Sequence, residues 1–143
     1  KQHREHYGKS KRYDRVFCEQ LVEELDHYGA TCFATGNLDR ALEAFQHSLR
    51  VRTETNVDFT HHSTANIIHC IADVYSKQQN WAQALHAYLA ALQALHRVHL
   101  DVETKKKAWR LQRKAALVEQ HLGNCKSFFR GSVPIVPTYI EQK

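Results

Sequence analysis

Methionine is missing from all 143 residues, position 1 included, which implies that the sequence is a piece of a longer chain. Proline is nearly absent. The two that occur, Pro134 and Pro137, stand near the end, so nothing between Asp14 and Leu122 forbids helix. The longest uninterrupted apolar run is the six residues from Ala87 to Leu92, against the roughly 20 needed to cross a bilayer, which excludes membrane insertion. The opening residues are not those of a signal segment either. The four cysteines (Cys18, Cys32, Cys70 and Cys125) include no close pair of the kind that ligates zinc or runs redox chemistry. They read as reduced, buried thiols of a cytosolic protein. No phosphate-cradling glycine loop or nucleophile elbow is present, and Cys70 cannot use its neighbour His69 as a base, because adjacent helical side chains diverge by about 100°. Neither catalysis nor a cofactor is expected.

Charge is present but unevenly placed. The total is +5 with histidine neutral, yet residues 1–15 carry a net +4, residues 16–104 a net −6 and residues 105–143 a net +7. A nucleic-acid reader needs its positive charge on the surface that tracks phosphates. An acidic middle argues against that class. Eleven histidines raise the question of a metal. Helical ligands meet at spacings of three or four, whereas His62 and His69 are two turns apart, and His96 with His99 makes two ligands, not a site. No metal is expected.

Apolar spacing sets the fold class. Phe17, Leu21, Leu25, Tyr28 and Cys32 form one helical stripe; Leu38, Ala41, Leu42, Phe45 and Leu49 form another after the Gly36-Asn37 break. Ala65, Ile68, Ile71, Ala72 and Tyr75 make a third, and Trp81, Ala84, Leu85, Tyr88, Ala91, Leu92 and Leu95 a fourth. Ala108, Leu111, Ala115, Val118 and Leu122 make a fifth. The chain is expected to be all-α.

Shifting the sequence by 43 positions superposes two of these blocks. Leu25, Tyr28, Gly29 and Cys32 fall on Ile68, Ile71, Ala72 and Tyr75, and Ala41, Phe45 and Ser48 on Ala84, Tyr88 and Ala91. Asn37/Asn80, Ala41/Ala84, Leu42/Leu85, Ala44/Ala87 and Leu49/Leu92 are identical. The small residues, Gly29 with Ala41 and Ala72 with Ala84, are expected to let paired helices approach while larger ones fill the flanks.

This order resembles the tetratricopeptide repeat, from about Val22 to Leu122. The departures are Cys32 at an aromatic position, Gln79 at the turn glycine and Ser48 at an alanine. The spacing exceeds the usual repeat of about 34 residues, which implies a lengthened second helix and connector from Arg50 to Ser63 and is similar to the kinesin light chains. The resemblance implies a right-handed α-solenoid of about two and a half repeats. A basic extension (1–13) would precede a first repeat (14–54), a second (64–99) and a capping helix (104–122). A short helix or extended tail (123–143) would follow, because the third copy sends Ala84 to Ser127 and Tyr88 to Gly131.

The resemblance also implies a concave face that binds a partner peptide or helix. Its positions are Glu23, Asp26, His27, Ala30 and Phe33 in the first repeat, Asn66, His69, Cys70, Asp73 and Lys77 in the second, and Trp109, Arg113 and Ala116 in the cap. Phe33 and Trp109 are the expected aromatic anchors. The cations with which some of these proteins clamp chaperone C-termini are not kept: Asp26, Ala30 and Cys70 stand in their places and only Arg113 remains, so no chaperone tail should bind. Lys105, Lys106, Lys107, Arg110, Arg113 and Lys114 form a wide basic stripe, which adds Arg110 to the candidate partner-binding residues. The expected function is protein-protein interaction within a cytoplasmic scaffold or adaptor, which the likeness to kinesin light chains associates with the cytoskeleton. Self-assembly through the solenoid ends is the alternative, and basic-patch binding of nucleic acid or anionic lipid the third. The segment from Gly131 to Lys143, with Val133, Ile135 and Val136, is expected to pack back on the solenoid or lie in its groove.

Overall fold

The computed structural model describes the backbone of residues 2–55, 59–97 and 101–125, with side chains from residue 15 onward except 61, 124 and 125. Five helices account for it: α1 (Gln2–Ala34), α2 (Leu38–Glu54), α3 (His61–Lys77), α4 (Trp81–His96) and α5 (Val102–Cys125). No strand occurs among the described residues, as the spacing predicts. No helix among them is long and apolar enough to cross a membrane. The third hairpin's second helix and the apolar C-terminal tail lie outside the described residues. Two compact units divide between Phe59 and Thr60. The first contains the α1–α2 hairpin, the second α3–α4 with α5 packed on α4.

Both hairpins reverse through the same backbone device. Asn37 N–H donates to Cys32 O at 2.8 Å and Gly36 N–H to Phe33 O at 3.2 Å; in the second copy Asn80 donates to Tyr75 O at 2.9 Å and Gln79 to Ser76 O at 3.0 Å. This pair of bonds closes a helix end and requires a left-handed residue before the asparagine. Gly36 meets the requirement at φ +87°, whereas Gln79 adopts φ +61° against the steric preference of a side chain. The starts of α3 and α5 use side-chain caps. Thr60 Oγ1 accepts from Ser63 N–H at 3.1 Å, and Asp101 Oδ1 accepts from Thr104 N–H at 2.7 Å.

In the first unit Val22, Cys32, Ala41, Ala44 and Phe45 are buried. Gly29 is where the helices crowd: a Cβ there would stand 2.6 Å from Phe45 Cε1, so the phenyl ring occupies the space a side chain would need. The outer part of the expected α1 stripe does not enter the core. Phe17 is 57% exposed and Tyr28 50%, because the buried arc of α1 centres on Val22, Gly29 and Cys32 and places those two residues on its flank.

The second unit has the larger core. Ala65, Ala72, Ala84, Leu85, Tyr88, Ala91, Leu92 and Leu95 continue into Ala108, Leu111, Ala115 and Val118 of α5, with Ile68, Tyr75, Trp81 and Leu122 partly buried against them. Burial of each large side chain here contributes about 1.5–3 kcal/mol. Two polar residues share the buried side of α5, Thr104 and Gln112. Of the described thiols, Cys32 alone is buried; Cys18 and Cys70 are half-buried, which corrects the expectation that all would be. Cys70 lies at the edge of its helix's core arc, and Cys18 stands one turn before Val22, the first buried residue described on α1.

Candidate functional site

The candidate residues sit on α1, α3 and α5, and each unit organises its share around one carboxylate. In the first, Asp26 of α1 receives two donors from α2. Ser48 Oγ donates to its Oδ1 and Arg52 Nη2 pairs with its Oδ2. Arg52 Nε also reaches Ser48 Oγ at 3.3 Å, and its guanidinium lies 5.2 Å from the centre of the Phe59 ring. The Arg52 side chain is only 5% exposed, so a buried cation is matched by a half-buried anion. Asp26 is therefore committed within the hairpin, and Ser48, which departs from the usual alanine, is part of that commitment.

In the second unit the carboxylate is Asp73 of α3. Tyr88 of α4 donates its hydroxyl at 2.6 Å, and Lys114 of α5 donates from Nζ to both oxygens at 2.9 and 3.1 Å. Lys114 Nζ also lies 2.7 Å from His69 Nε2. An ammonium can only donate, so His69 accepts there and is neutral, with its proton on Nδ1. Its environment agrees: burial lowers the imidazole pKa, Asp73 opposes this, and Lys114 and Arg110 reinforce it. Burial, with Asp73 beside it, raises the Tyr88 phenol and keeps it a proton donor. The His69 and Tyr88 rings meet edge to face at 5.9 Å. A second tie between α3 and α5 joins His62 Nε2 and Thr104 Oγ1 at 3.0 Å. These contacts bring α3 and α5 together.

Six of the expected partner-binding residues are exposed: Glu23, His27, Asn66, Lys77, Arg110 and Arg113. Asp26, Phe33, His69, Asp73 and Trp109 are half-buried. Phe33 and Trp109 are thus not the freely exposed aromatics that the pattern suggests. The Arg113 guanidinium lies over the Trp109 ring at 4.7 Å and shields one face of it. Lys114 leaves the basic stripe to meet Asp73, which narrows the stripe to Lys105, Lys106, Lys107, Arg110 and Arg113. At the far end of α5, His121 stacks on Trp81 with centroids 4.1 Å apart and planes 4° from parallel.

Sequence reading missed Ser48, Arg52, Tyr88 and Lys114 as partners of the candidate acids. One signal was available: Ser48 and Arg52 lie one helical turn apart on α2, a spacing that lets both reach a single acid. Among the described residues no group of three or more His, Cys, Asp or Glu side chains could hold a metal ion. Two buried polar atoms find no partner among the described residues, His62 Nδ1 and Gln112 Oε1.

No curated protein and no solved structure gives a significant match to this chain. A family model does, the tetratricopeptide repeat, over residues 21–95, more than half of the sequence. That range runs from within α1 to Leu95 of α4 and takes in both copies of the Asn37/Asn80 turn. Such repeats are generally protein-protein interaction modules and typically non-catalytic. The chain belongs to the tetratricopeptide-repeat family.

Proposed function

We propose that the chain is the non-catalytic interaction module of a larger scaffold or adaptor protein, and that it holds a partner peptide or helix against α1, α3 and α5. The observation that carries this reading is that the candidate positions stay off the buried faces of their helices. Although each of those helices buries one face, none of Glu23, Asp26, His27, Phe33, Asn66, His69, Asp73, Lys77, Trp109, Arg110 and Arg113 is buried. Their chemistry is mixed, with acids and His27 on α1, an amide and a cation on α3, and cations with an indole on α5. Such a surface reads a partner through several weak contacts and not through one clamp. The long repeat spacing, similar to that of kinesin light chains, favours a parent protein serving cargo attachment or cytoskeletal assembly in the cytoplasm.

The test is affinity capture from a cell extract with the wild-type chain and with Phe33→Ala combined with Arg113→Glu, each checked by circular dichroism. Proteins captured by the first and lost with the second are the expected result. Identical captured sets would sink the reading.

A further inference from the structure

The large apolar side chains that are exposed among the described residues sit on two helices only. Val16, Phe17 and Tyr28 lie on α1, and Val102 and Leu117 on α5, each at least 50% exposed. Helical geometry places them on defined faces. On α1, Phe17, Gln20, Glu24 and Tyr28 fall within one exposed arc, on the flank of the buried Val22, Gly29 and Cys32. On α5, Val102, Lys106, Arg110, Arg113 and Leu117 fall within one arc, opposite the buried Leu111, Ala115 and Val118. Both faces read apolar, charged, apolar.

Their charges are opposite. From residue 16 to its end, α1 carries Glu19, Glu23, Glu24 and Asp26 and no lysine or arginine; α5 carries six basic residues against Glu103 and Glu119. Some of this charge is already met: Glu19 by Arg15, Asp26 by Arg52, Lys106 by Glu103 at 3.5 Å, Lys114 by Asp73. Glu23, Glu24, Arg110 and Arg113 have no opposite charge in ion-pair range among the described residues. The apolar pairs bracket these charges at about 16 Å on α1 and about 22 Å on α5, from the rise of 1.5 Å per residue.

We infer that the outer face of α1 docks on the outer face of α5 in a second copy of this chain. Burying Phe17 and Tyr28 beside Val102 and Leu117 removes apolar surface from water, while Glu24 meets Lys106 and Arg110. The contact joins two different faces, so it is heterologous, and a pair held by one such contact leaves one α5 face and one α1 face free. A second contact of the same kind or a further copy can take these up.

Sedimentation equilibrium of the 143-residue chain tests this. The mass is expected to rise with concentration at low salt and to fall back toward that of one chain at high salt. Gln20→Lys with Glu24→Lys, and separately Lys106→Glu with Arg110→Glu, should each weaken association about tenfold or more by setting like charges against each other. An equal mixture of the two variants should associate again, because each supplies the face the other lacks. Tyr28→Ser with Leu117→Ser leaves the charges in place and should weaken association at every salt concentration. All six positions are on exposed helix faces, and circular dichroism verifies their folding. A single-chain mass under all conditions, association indifferent to the swaps, or no recovery on mixing overturns the inference.

Discussion

The two hairpins are copies at a spacing of 43 residues, yet they spend their carboxylates differently. In the first, Asp26 is answered from the hairpin's own second helix, by Ser48 and Arg52. In the second, Asp73 is answered partly by its own hairpin, through Tyr88, and partly by the next helix, through Lys114. The first arrangement locks a hairpin internally; the second fastens a hairpin to its successor. The core positions diverge in parallel. Gly29 gives up its side chain to Phe45, whereas Ala72 keeps its methyl and the register copy of Phe45, Tyr88, sends a hydroxyl to Asp73. A shared template therefore fixes where helices cross but leaves open which polar groups tie them.

Removing each carboxylate tests that contrast most strongly. Asp26→Ala removes the carboxylate that Arg52 pairs with, and because that side chain is 5% exposed it should cost about 3 kcal/mol, read as a lowered denaturation midpoint by circular dichroism. Asp73→Ala should cost less, about 2 kcal/mol, because Lys114 is 40% exposed and water takes over part of its solvation. Equal losses would erase the distinction. Gly29→Ala comes next. The added methyl meets a Phe45 ring that is itself buried, and overpacking outweighs the helix propensity gained, for a net loss of about 1 kcal/mol. Combining it with Phe45→Leu should recover part of that loss in the same melt.

The turns give a smaller effect of opposite sign. Gln79 holds a left-handed conformation that Gly36 occupies without strain, so Gln79→Gly should stabilise by about 0.5–1 kcal/mol and Gly36→Ala should destabilise by a similar amount. The smallest effect concerns pH. Burial holds His69 below its ordinary pKa, so below about pH 6.5 the unfolded chain binds more protons there than the folded one. The stability His69 contributes is complete above that pH and declines on acidification. The melting temperature should fall from about pH 7 to about pH 5.5, and His69→Gln should flatten that slope. An unchanged slope would show that burial does not hold His69 below its ordinary value.

Much of the fold was legible because apolar spacing, the repeat and the turns report on the backbone. Two helical copies, the Gly36-Asn37 reversal and the small residues at 29, 41, 72 and 84 all follow from letters alone; Ala41, Ala72 and Ala84 are fully buried. The candidate site was legible only as positions on helices. Periodicity could not say that Lys114 turns away from Arg110 toward Asp73, since both choices sit on the polar flank of one helix. Nor could it exclude Phe17 and Tyr28 from the core, because an arc of about 100° leaves flank residues undecided until a neighbour is present. Thr104 and Gln112 escaped notice for the complementary reason: polar letters on a buried face look like surface.

Lys114 also differs from its neighbours in reactivity. The Lys114 amine is held against a carboxylate and an imidazole, which hinders the approach of an electrophile, whereas the exposed Lys105 and Lys106 are open to acylation. Under limiting reagent those two should label before Lys114, whose amine is engaged by His69 and Asp73 of α3. The order in which three amines on one helix are modified thus gauges how firmly that helix is held.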